Sequence, residues 1–236
     1  MCIRDRAREE EIPFFLLGGG SNILVSDRGI RGIVVDCSAL SGINIQGREI
    51  FCQAGAAISD VSQAAAERGL GGLEFLYRLP GSVGGALWMN ARCYGRSISD
   101  LSGEVKYLDG SLQRRRLSLP STEFSYKDSP FQRNGAIILG ARFEAELAET
   151  ELIRQTMREI ESDRRQKGHF DHPSAGSVFK NDRRFGQPSG QILDQLGARG
   201  MRVREAQVSP LHANIIVNTG GARAEDVLTL IRKLQK

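Results

Sequence analysis

Two glycine-rich segments of this chain have the residue types that hold an anionic ligand through the backbone. They are residues 18–22 (GGGSN) and residues 81–85 (GSVGG). Consecutive glycines let the backbone approach a ligand closely and leave N–H groups available as donors. Either segment alone is equally consistent with a tight turn inside a sheet. Two of them in one chain favour a dinucleotide, which has a pyrophosphate and a second ring system to hold.

A serine within residues 173–181 (PSAGSVFKN) is a candidate proton donor. Ser177 precedes Lys180, and a nearby cation can stabilise a serine alkoxide. The chain has no GxSxG motif, and the nearest histidines, His169 and His172, lie on a segment expected to be irregular, so a Ser-His-Asp hydrolase is poorly supported. A serine that caps the end of a strand is the alternative interpretation.

Residues 124–130 (FSYKDSP) contain Tyr126 and Lys127, which together can bind an anion. The alternative is a loop packed by Phe124 and Phe131, and the residues taken alone favour it. His212 is interpreted as a structural histidine. The sequence offers no convergent set of metal ligands.

Composition and charge fit a globular protein with a small anionic ligand. A chain of 236 residues holds one large domain or two small ones. Its hydrophobic content of 40% and charged content of 25% are ordinary. The net charge of +4 is too small to indicate nucleic-acid binding. The basic residues 114–116 (RRR) are expected on a solvated strand edge.

The cysteines and apolar runs indicate a reducing compartment and no membrane span. Cys2, Cys37, Cys52 and Cys93 are scattered without a CxxC pair, which argues against a zinc site and a disulfide scaffold. No apolar run approaches the roughly 20 residues that a span needs. Residues 1–13 lack the apolar region of a signal peptide and are expected not to fold. The predicted location is cytoplasmic.

Apolar periodicity and turn residues predict a series of short strands and several helices along the chain. Predicted strands cover residues 13–17, 23–25, 32–36, 43–46, 49–54, 104–108, 112–117, 136–143 and 214–218. The first five suggest a meandering sheet, and residues 173–181 are interpreted as a loop entering a strand. Predicted helices cover residues 59–68, 151–167, 189–196 and 224–234.

Two of these helices carry more detailed predictions. Ser59 is expected to be the N-cap of the first helix, and Gly69 is expected to end it. The second helix is expected to turn Leu152, Ile153, Met157 and Ile160 inward. The change to a long charged helix places the predicted domain boundary between residues 147 and 148.

Five segments, in order over almost the whole chain, resemble one family, the UDP-N-acetylenolpyruvoylglucosamine reductases, also called UDP-N-acetylmuramate dehydrogenases. The segments are LGGGSNILVSDRGIRGIVV (17–35), GLEFLYRLPGSVGGALWMNARCYGRSISD (72–100), FSYKDSPF (124–131), PSAGSVFKN (173–181) and SGQILDQLGARGMRVREAQVSPLHANIIVN (189–218). The shorter variant of the family, with a PSAGSVFKN-type motif, is the more similar one.

The resemblance implies a two-domain α+β flavoenzyme. Residues 1–147 would form an FAD-binding domain of PCMH (vanillyl-alcohol-oxidase-like) type, and residues 148–236 a smaller α+β substrate-binding domain. NADPH would reduce the flavin, which would pass hydride to C3 of UDP-N-acetylglucosamine enolpyruvate while a serine protonates C2. The product would be UDP-N-acetylmuramate, a peptidoglycan precursor, which implies roles in cell wall biogenesis, cell shape and cell division. The expected protein is a cytoplasmic monomer without nucleic-acid or membrane partners.

The resemblance also assigns residues to these ligands. The catalytic residues would be Ser177, as the proton donor, and Lys127. The substrate would contact Tyr126, Arg164, Arg165, Lys180 and Asn181. The FAD-binding residues would be Gly18, Gly19, Gly20, Ser21, Asn22, Gly81, Ser82, Val83, Gly84, Gly85, Asn90, Ala91 and Gly95.

Three departures from the family pattern qualify the expected activity. Lys127 stands where the family has arginine, which keeps the charge but loses the bidentate fork. The family's part before LGGGSN is expected to be missing, and its late glutamate, in an LEPE-type segment, is expected beyond Lys236. Two alternatives stay open. One is another FAD oxidase of the same fold, against which residues 173–181 argue, and the other is an inactive or flavin-free nucleotide-sugar-binding remnant.

Overall fold

The computed structural model describes residues 3–236, apart from the side chains of Arg4, Arg8 and Ala175. The chain divides into two compact units. The first comprises Met1–Gly20 and Gly32–Glu161, and the second comprises Ser21–Arg31 and Ser162–Lys236. The predicted α+β class is confirmed, since both units combine helices with mostly antiparallel strands. The position of Cys2 lies outside the described residues.

The first unit contains a parallel strand pair and a five-stranded antiparallel sheet with helices. Its strands are β1 (Phe14–Leu17), β2 (Ile33–Asp36), β3 (Ile43–Gln46), β4 (Glu49–Gln53), β5 (Leu70–Gly71), β6 (Arg92–Cys93), β7 (Arg96–Ser97), β8 (Ser102–Leu108), β9 (Arg114–Leu119), β10 (Ile137–Glu144) and β11 (Glu146–Leu147). Its helices are α1 (Ile3–Glu9), α2 (Ile58–Glu67), α3 (Val83–Trp88) and α4 (Pro130–Arg133), and α5 (Thr150–Gln166) runs on into the second unit.

The large sheet has the strand order β3-β4-β10-β8-β9, and the pair β1-β2 stands apart from it. Phe14 lies opposite Ile33 in the parallel register of that pair, so the predicted meander is wrong for the first strands. The meander fails because β2 returns beside β1 in the same direction, and only β3 and β4 form a hairpin. The core lies on one face of the large sheet, where alternate residues such as Ile50, Val105 and Phe143 are fully buried. Residues 114–116 are exposed on edge strand β9, as predicted.

The observed span of helix α2 agrees with the predicted span to within one residue, but its N-cap is not the predicted residue. The N-cap position is Ala57, and Ser59 lies inside the helix, where its Oγ accepts a hydrogen bond from the backbone N–H of Arg78. The predicted N-cap is therefore wrong, because Ser59 serves a distant loop. Gly69 follows the helix with a φ of 66°, the left-handed conformation expected after a helix end.

Residues 81–85 are not the isolated turn that the sequence suggested, because α3 starts within them. Ser82 is the N-cap, and its Oγ accepts from the N–H of Gly85 at 3.2 Å. Val83, Ala86 and Leu87 recur at helical spacing and are buried. The helical spacing of these apolar residues predicts α3, whereas the glycine content of the segment favours a turn.

Helix α5 turns a narrower apolar stripe inward than predicted. Ile153, Met157 and Ile160 are buried, whereas Leu152 is 60% exposed, so its predicted inward position is wrong. The buried residues recur three or four positions apart, and Leu152 falls beside that stripe. Ile153 and Met157 pack with Ala66 in the first unit.

The second unit has a four-stranded antiparallel sheet with the order β12-β15-β14-β13. Its strands are β12 (Ser174–Ser177), β13 (Arg202–Val203), β14 (Ala206–Val208) and β15 (Ile215–Asn218), and its helices are α6 (Ser189–Gln195) and α7 (Ala224–Leu234). Ala206, Val208, Ile216 and Leu230 are buried together in its core. The predicted helices over residues 189–196 and 224–234 and the predicted strand over residues 214–218 are confirmed.

Three further local predictions are wrong. Residues 23–25 form no strand and are exposed, and they lie in a segment that groups with the second unit. The strand in residues 173–181 comes first, as β12, and the loop follows it. The start of the chain folds as α1, in which Ala7 is 1% exposed. A short apolar run carries no information about its partner, which explains the first miss.

The predicted domain boundary between residues 147 and 148 stays a prediction. The border between the two compact units instead lies within α5, between Glu161 and Ser162, because the first turns of α5 pack on the first unit. Segment Ser21–Arg31 also groups with the second unit.

Candidate functional site

The two glycine segments meet in the first unit. A Cβ on Gly18 would lie 2.5 Å from Oγ of Ser82, and a Cβ on Gly19 would lie 2.7 Å from Cα of Gly81. Both distances are shorter than real Cβ contacts, so only glycine fits at either position without movement of its neighbours. Residues 18–20 follow the end of β1, and residues 81–82 precede α3, so the strand and the helix position the two segments.

The meeting segments present a group of backbone donors. Within the described part of the chain, the N–H groups of Gly18, Gly19, Gly20, Gly81 and Ser82 donate to no protein acceptor. Unpaired N–H groups in a concave backbone are the usual means of holding phosphate oxygens. We call the residues 18–20 and 81–82 the glycine site. Its donor set suits a pyrophosphate.

The next three N–H groups after Ser82 are already used by the protein. The N–H of Val83 donates to the carbonyl of Ala56 at 2.9 Å, and that of Gly84 donates to the carbonyl of Ala54 at 2.7 Å. The N–H of Gly85 donates to Ser82. Val83 is fully buried, so its side chain belongs to the core. These three predicted cofactor residues support the glycine site through backbone geometry.

The remaining predicted cofactor residues lie in different surroundings. Ser21 and Asn22 are exposed and group with the second unit. Ala91 is half-buried, and its N–H donates to the carbonyl of Ala86. Gly95 has a φ of 78° in the turn between β6 and β7, which explains its glycine without a ligand. The structure therefore brings residues 18–20 and 81–82 together and assigns these others to nearby turns or to the second unit.

Asn90 follows α3 and is 4% exposed. Its Nδ2 donates to the carbonyl of Ser125 at 2.8 Å, and its Oδ1 accepts from the N–H of Ser99 at 3.4 Å. Two more side chains bind the end of the same helix, because Ser129 Oγ and Gln132 Nε2 both donate to the carbonyl of Trp88 at 2.7 Å. The C-terminal end of α3 therefore holds the loop over residues 124–130.

That loop displays Tyr126 and Lys127 at the tip of a two-residue turn. Ser125 and Asp128 exchange backbone hydrogen bonds of 3.2 Å in both directions, and Lys127 has a φ of 57°. An ion pair with Arg133 holds the pKa of Asp128 below its usual range. Tyr126 is exposed and Lys127 is half-buried. Helix α3, about 9 Å long at 1.5 Å per residue, thus separates the glycine site from a cationic turn.

Packing by phenylalanines, the alternative interpretation of this loop, is confirmed for its base. The rings of Phe124 and Phe131 lie 5.9 Å apart, edge to face, and Tyr107 packs on Phe131 at 5.2 Å. Packing at the base and display at the tip involve different residues, so the two interpretations are compatible.

In the second unit, Ser177 ends β12 opposite Ile215. Gly176 has a φ of 63°, and Ser177 is exposed. No described residue forms a hydrogen bond with Ser177 Oγ or an ion pair with Lys180 Nζ. Both groups are therefore available to a ligand, and Ser177 also occupies the strand end that the alternative interpretation gave it.

Asn214 fixes the loop that follows Ser177. Its Oδ1 accepts from the N–H of Phe179 at 2.8 Å, and its Nδ2 donates to the carbonyl of Phe179 at 2.9 Å. The N–H of Val178 also donates to the backbone carbonyl of Asn214. Asn214 is 5% exposed, so these bonds are shielded from water. Sequence reasoning missed this role, because no spacing rule connects positions 179 and 214.

Ser189 holds the far end of the same loop. Its N–H donates to Oδ1 of Asn181 at 2.9 Å, and its Oγ donates to the carbonyl of Lys180 at 2.7 Å. The amide of Asn181, a predicted substrate residue, therefore has a structural partner at the start of α6. Lys180 keeps its side chain exposed while its backbone is held.

The arginines predicted to meet phosphate lie at the end of α5. Arg164 is 6% exposed, and the guanidinium of Arg165 lies 5.5 Å above the ring of Phe170. His169 and His212 pack edge to face at 6.2 Å. Burial lowers the pKa of both histidines, and the charge of Arg164 lowers that of His169 further. His212 Nδ1 accepts from the N–H of Asn214 at 3.2 Å, in keeping with the predicted structural role.

No cluster of His, Cys, Asp or Glu among the described residues has the geometry of a metal site. No helix in the described chain is long and apolar enough to cross a bilayer.

Sequence models of two protein families match this chain. Residues 3–111 match the FAD binding domain, and residues 168–236 match the C-terminal domain of UDP-N-acetylenolpyruvoylglucosamine reductase. The fold and these two matches define a class, the FAD-type oxidoreductases in which a flavin-binding domain precedes the C-terminal domain of this reductase.

Similar proteins of known name extend over nearly the whole chain. The UDP-N-acetylenolpyruvoylglucosamine reductases of Treponema denticola and Latilactobacillus sakei are 42% and 41% identical to it, over 97% and 98% of this chain and 76% and 75% of theirs. The crystal structure of the reductase from Thermus caldophilus matches with a TM-score of 0.83 at 33% identity, over 98% of this chain and 84% of that one. The chain belongs to the UDP-N-acetylenolpyruvoylglucosamine reductase family. The predicted family and fold class are confirmed.

Proposed function

We propose that this protein is an NADPH-dependent, FAD-containing reductase that converts UDP-N-acetylglucosamine enolpyruvate into UDP-N-acetylmuramate. The observation that carries the proposal is the meeting of the two glycine segments, with the unpaired N–H groups of residues 18–20 and 81–82. These donors fit the pyrophosphate of a dinucleotide, and the absence of Cβ atoms at Gly18 and Gly19 keeps the backbone within reach of it.

The glycine site would hold FAD through its pyrophosphate, and Ser21 and Asn22 would add side-chain donors. The chemistry that bound FAD supplies is the transfer of hydride from NADPH to C3 of the enolpyruvyl group. The chain's own residues bind and orient the reactants and supply the proton.

Ser177 would deliver that proton to C2 from its Oγ. A proton donor for a carbanion must be a weak acid held in place, and the neighbouring loop is held by Asn214 and Ser189. Lys180 lies in the same loop and is exposed, and its charge would stabilise the alkoxide left behind. Asn181, Arg164 and Arg165 would contact the sugar nucleotide.

Lys127 and Tyr126 would recognise the negative charge of the enolpyruvyl group. Their turn is held by Asn90 and by the bonds to Trp88, so the backbone that carries both side chains is positioned before substrate binds. A lysine there supplies a point charge, whereas arginine supplies two parallel donors.

The proposed product is a peptidoglycan precursor, which would place the protein in cell wall synthesis and hence in cell shape and division. We further propose that it acts as a cytoplasmic monomer, with NADPH and the enolpyruvyl sugar as its partners. Cys37, Cys52 and Cys93 carry thiols, which a reducing compartment would maintain.

The visible spectrum tests the proposal directly. The purified chain, mixed with FAD and freed of excess ligand, is expected to retain flavin absorbance that NADPH bleaches and the enolpyruvyl sugar restores. Absence of retained flavin would overturn the proposal. Binding of UDP-N-acetylglucosamine enolpyruvate without flavin would favour the alternative, a nucleotide-sugar-binding remnant.

A further inference from the structure

The segment that continues the glycine site is anchored elsewhere by one carboxylate. Segment Ser21–Arg31 is exposed throughout and contains no helix or strand. Oδ1 of Asp27 accepts from the N–H of Ala224 at 2.9 Å, and Oδ2 accepts from the N–H of Glu225 at 3.2 Å. Asp27 thereby ties the segment to the first turn of α7.

The two bonds match the chemistry of both partners. The first N–H groups of a helix have no acceptor within the helix and carry its positive end, so a carboxylate satisfies both needs. The bond from Ala224 lowers the pKa of Asp27, so the carboxylate is ionised at neutral pH. On the other side of the same turn, Oδ2 of Asp226 accepts from the N–H of Arg223 at 3.0 Å.

A local turn presents Asp27 to the helix. The N–H of Gly29 donates to the carbonyl of Ser26 at 2.8 Å, and the N–H of Arg28 donates to Ser26 Oγ at 3.2 Å. Asp27 occupies the second position of this turn, where its side chain points away from the turn's own bonds. The segment is therefore shaped to deliver one carboxylate.

We infer that Asp27 is a positioning residue that links occupancy of the glycine site to the stability of α7. The inference rests on the proposed function, because its ligand is FAD. A ligand bound at the glycine site restrains Gly20, which directly precedes an exposed segment whose middle is held on α7 by Asp27. Each restraint reduces the conformational freedom that the other must remove, so each strengthens the other. Such coupling is reciprocal in binding free energy.

Hydrogen exchange followed by mass spectrometry tests the inference on the full chain. Saturating FAD is expected to slow amide exchange over residues 224–234 in the unsubstituted protein by about tenfold, a usual size for coupling between sites. Asp27→Ala is expected to abolish that slowing and to weaken FAD binding by the same factor. Asp27→Asn, which keeps one oxygen acceptor but loses the charge, is expected to lie between the two.

Asp226→Asn is the matched control, since it weakens the same helix turn without touching segment Ser21–Arg31. It is expected to keep both its affinity for FAD and the FAD-dependent slowing over residues 224–234. The inference is overturned if FAD binds but leaves exchange over residues 224–234 unchanged, or if Asp27→Ala binds FAD as tightly as the unsubstituted protein. Failure of the unsubstituted protein to bind FAD at all would overturn the proposed function itself, and the inference with it. Unchanged exchange over β10 in Asp27→Ala excludes global unfolding as the cause.

Discussion

At the scale of single residues, Gly18 and Gly19 owe their identity to contact with residues 81–82. The φ rule for glycine does not explain them, because neither has a positive φ. Contact does, since an added Cβ at either position would meet Ser82 or Gly81 at less than 3.0 Å. Sequence reasoning found these glycines as a motif, but their mutual contact could be seen only in the folded chain.

Replacing Gly18 by alanine is expected to weaken FAD binding at least tenfold, about 1.4 kcal/mol. The new methyl group would displace Ser82 Oγ and with it the cap of α3. A titration of flavin fluorescence measures the effect. Gly110→Ala is the control. Gly110 lies in the hairpin between β8 and β9, and its added Cβ would come no closer than 3.3 Å to the nearest atom, the carbonyl oxygen of Asn134. Equal affinity of the Gly18 variant and the unsubstituted protein would contradict the account of the glycine site.

Lys127 is the residue that is expected to stand where the family has arginine. Lys127→Arg is expected to raise kcat by about threefold or more, since a bidentate pair with a carboxylate is stronger than a single charged bond. Steady-state kinetics with the enolpyruvyl sugar measure the change. Lys106→Arg, at an exposed position of β8, is the control that should leave kcat unaltered. Unchanged or lower turnover of the Lys127 variant counts against its place in the substrate site.

At the scale of elements, α3 connects the two candidate functions of the first unit. Ser82 starts it at the glycine site, and the carbonyl of Trp88 with the side chain of Asn90 ends it at the cationic turn. Because this helix has only six residues, a displacement at one end is expected to reach the other. Because Asn90 lies at this end of α3, its substitution tests whether the residue serves the cofactor or the turn.

Asn90→Asp is expected to destabilise the fold by about 1–3 kcal/mol, because it replaces the Nδ2 donor by an acceptor that faces the Ser125 carbonyl. It is also expected to lower kcat while changing FAD affinity less than about threefold. Chemical denaturation and flavin titration give the two numbers. Asn44→Asp, at an exposed position of β3, is the matched control. Loss of FAD affinity without loss of stability would assign Asn90 directly to the cofactor.

The histidine pair of the second unit predicts how stability depends on pH. Burial lowers the folded-state pKa of His169 and His212 below the value of about 6.5 in the unfolded chain. The unfolded state therefore binds protons first as pH falls, so stability should decrease from pH 6.5 downward, to the lowered folded-state pKa. His169→Asn is expected to show a smaller decrease in Tm between pH 7 and 5, and His172→Asn, at an exposed position, an unchanged one. Equal slopes for all three proteins would contradict this assignment.

Elements differed in how far sequence predicted them. Helix α7 was predicted with its observed ends because its apolar residues recur at helical spacing between turn residues. Strand pairing was less accessible, because an apolar run such as residues 23–25 does not reveal whether a neighbouring position is free. The role of Asn214 depends on a contact 35 positions away in sequence, which no local pattern encodes.

At the scale of the whole molecule, the family could be predicted because its motifs run in order through both units. Which segments make up each unit could not be predicted. Segment Ser21–Arg31 groups with the second unit, and its Asp27 accepts a hydrogen bond from Ala224, far along the chain. The residues proposed to carry the chemistry are divided between the two units. The glycine site and Lys127 belong to the first unit, and Ser177 and Lys180 belong to the second. Catalysis as proposed needs both.

Stopped-flow measurement of the two half-reactions in Ser177→Ala tests the central claim most directly. Reduction of the flavin by NADPH is expected to remain within about twofold of the unsubstituted rate, because that step needs no proton from Ser177. Re-oxidation by UDP-N-acetylglucosamine enolpyruvate is expected to slow by about 10²-fold or more, the usual contribution of a positioned proton donor. Ser111→Ala, at an exposed position in the turn between β8 and β9, is the control that should leave both rates unaltered. Equal slowing of both half-reactions in Ser177→Ala, or of neither, would contradict the claim that this serine delivers the proton.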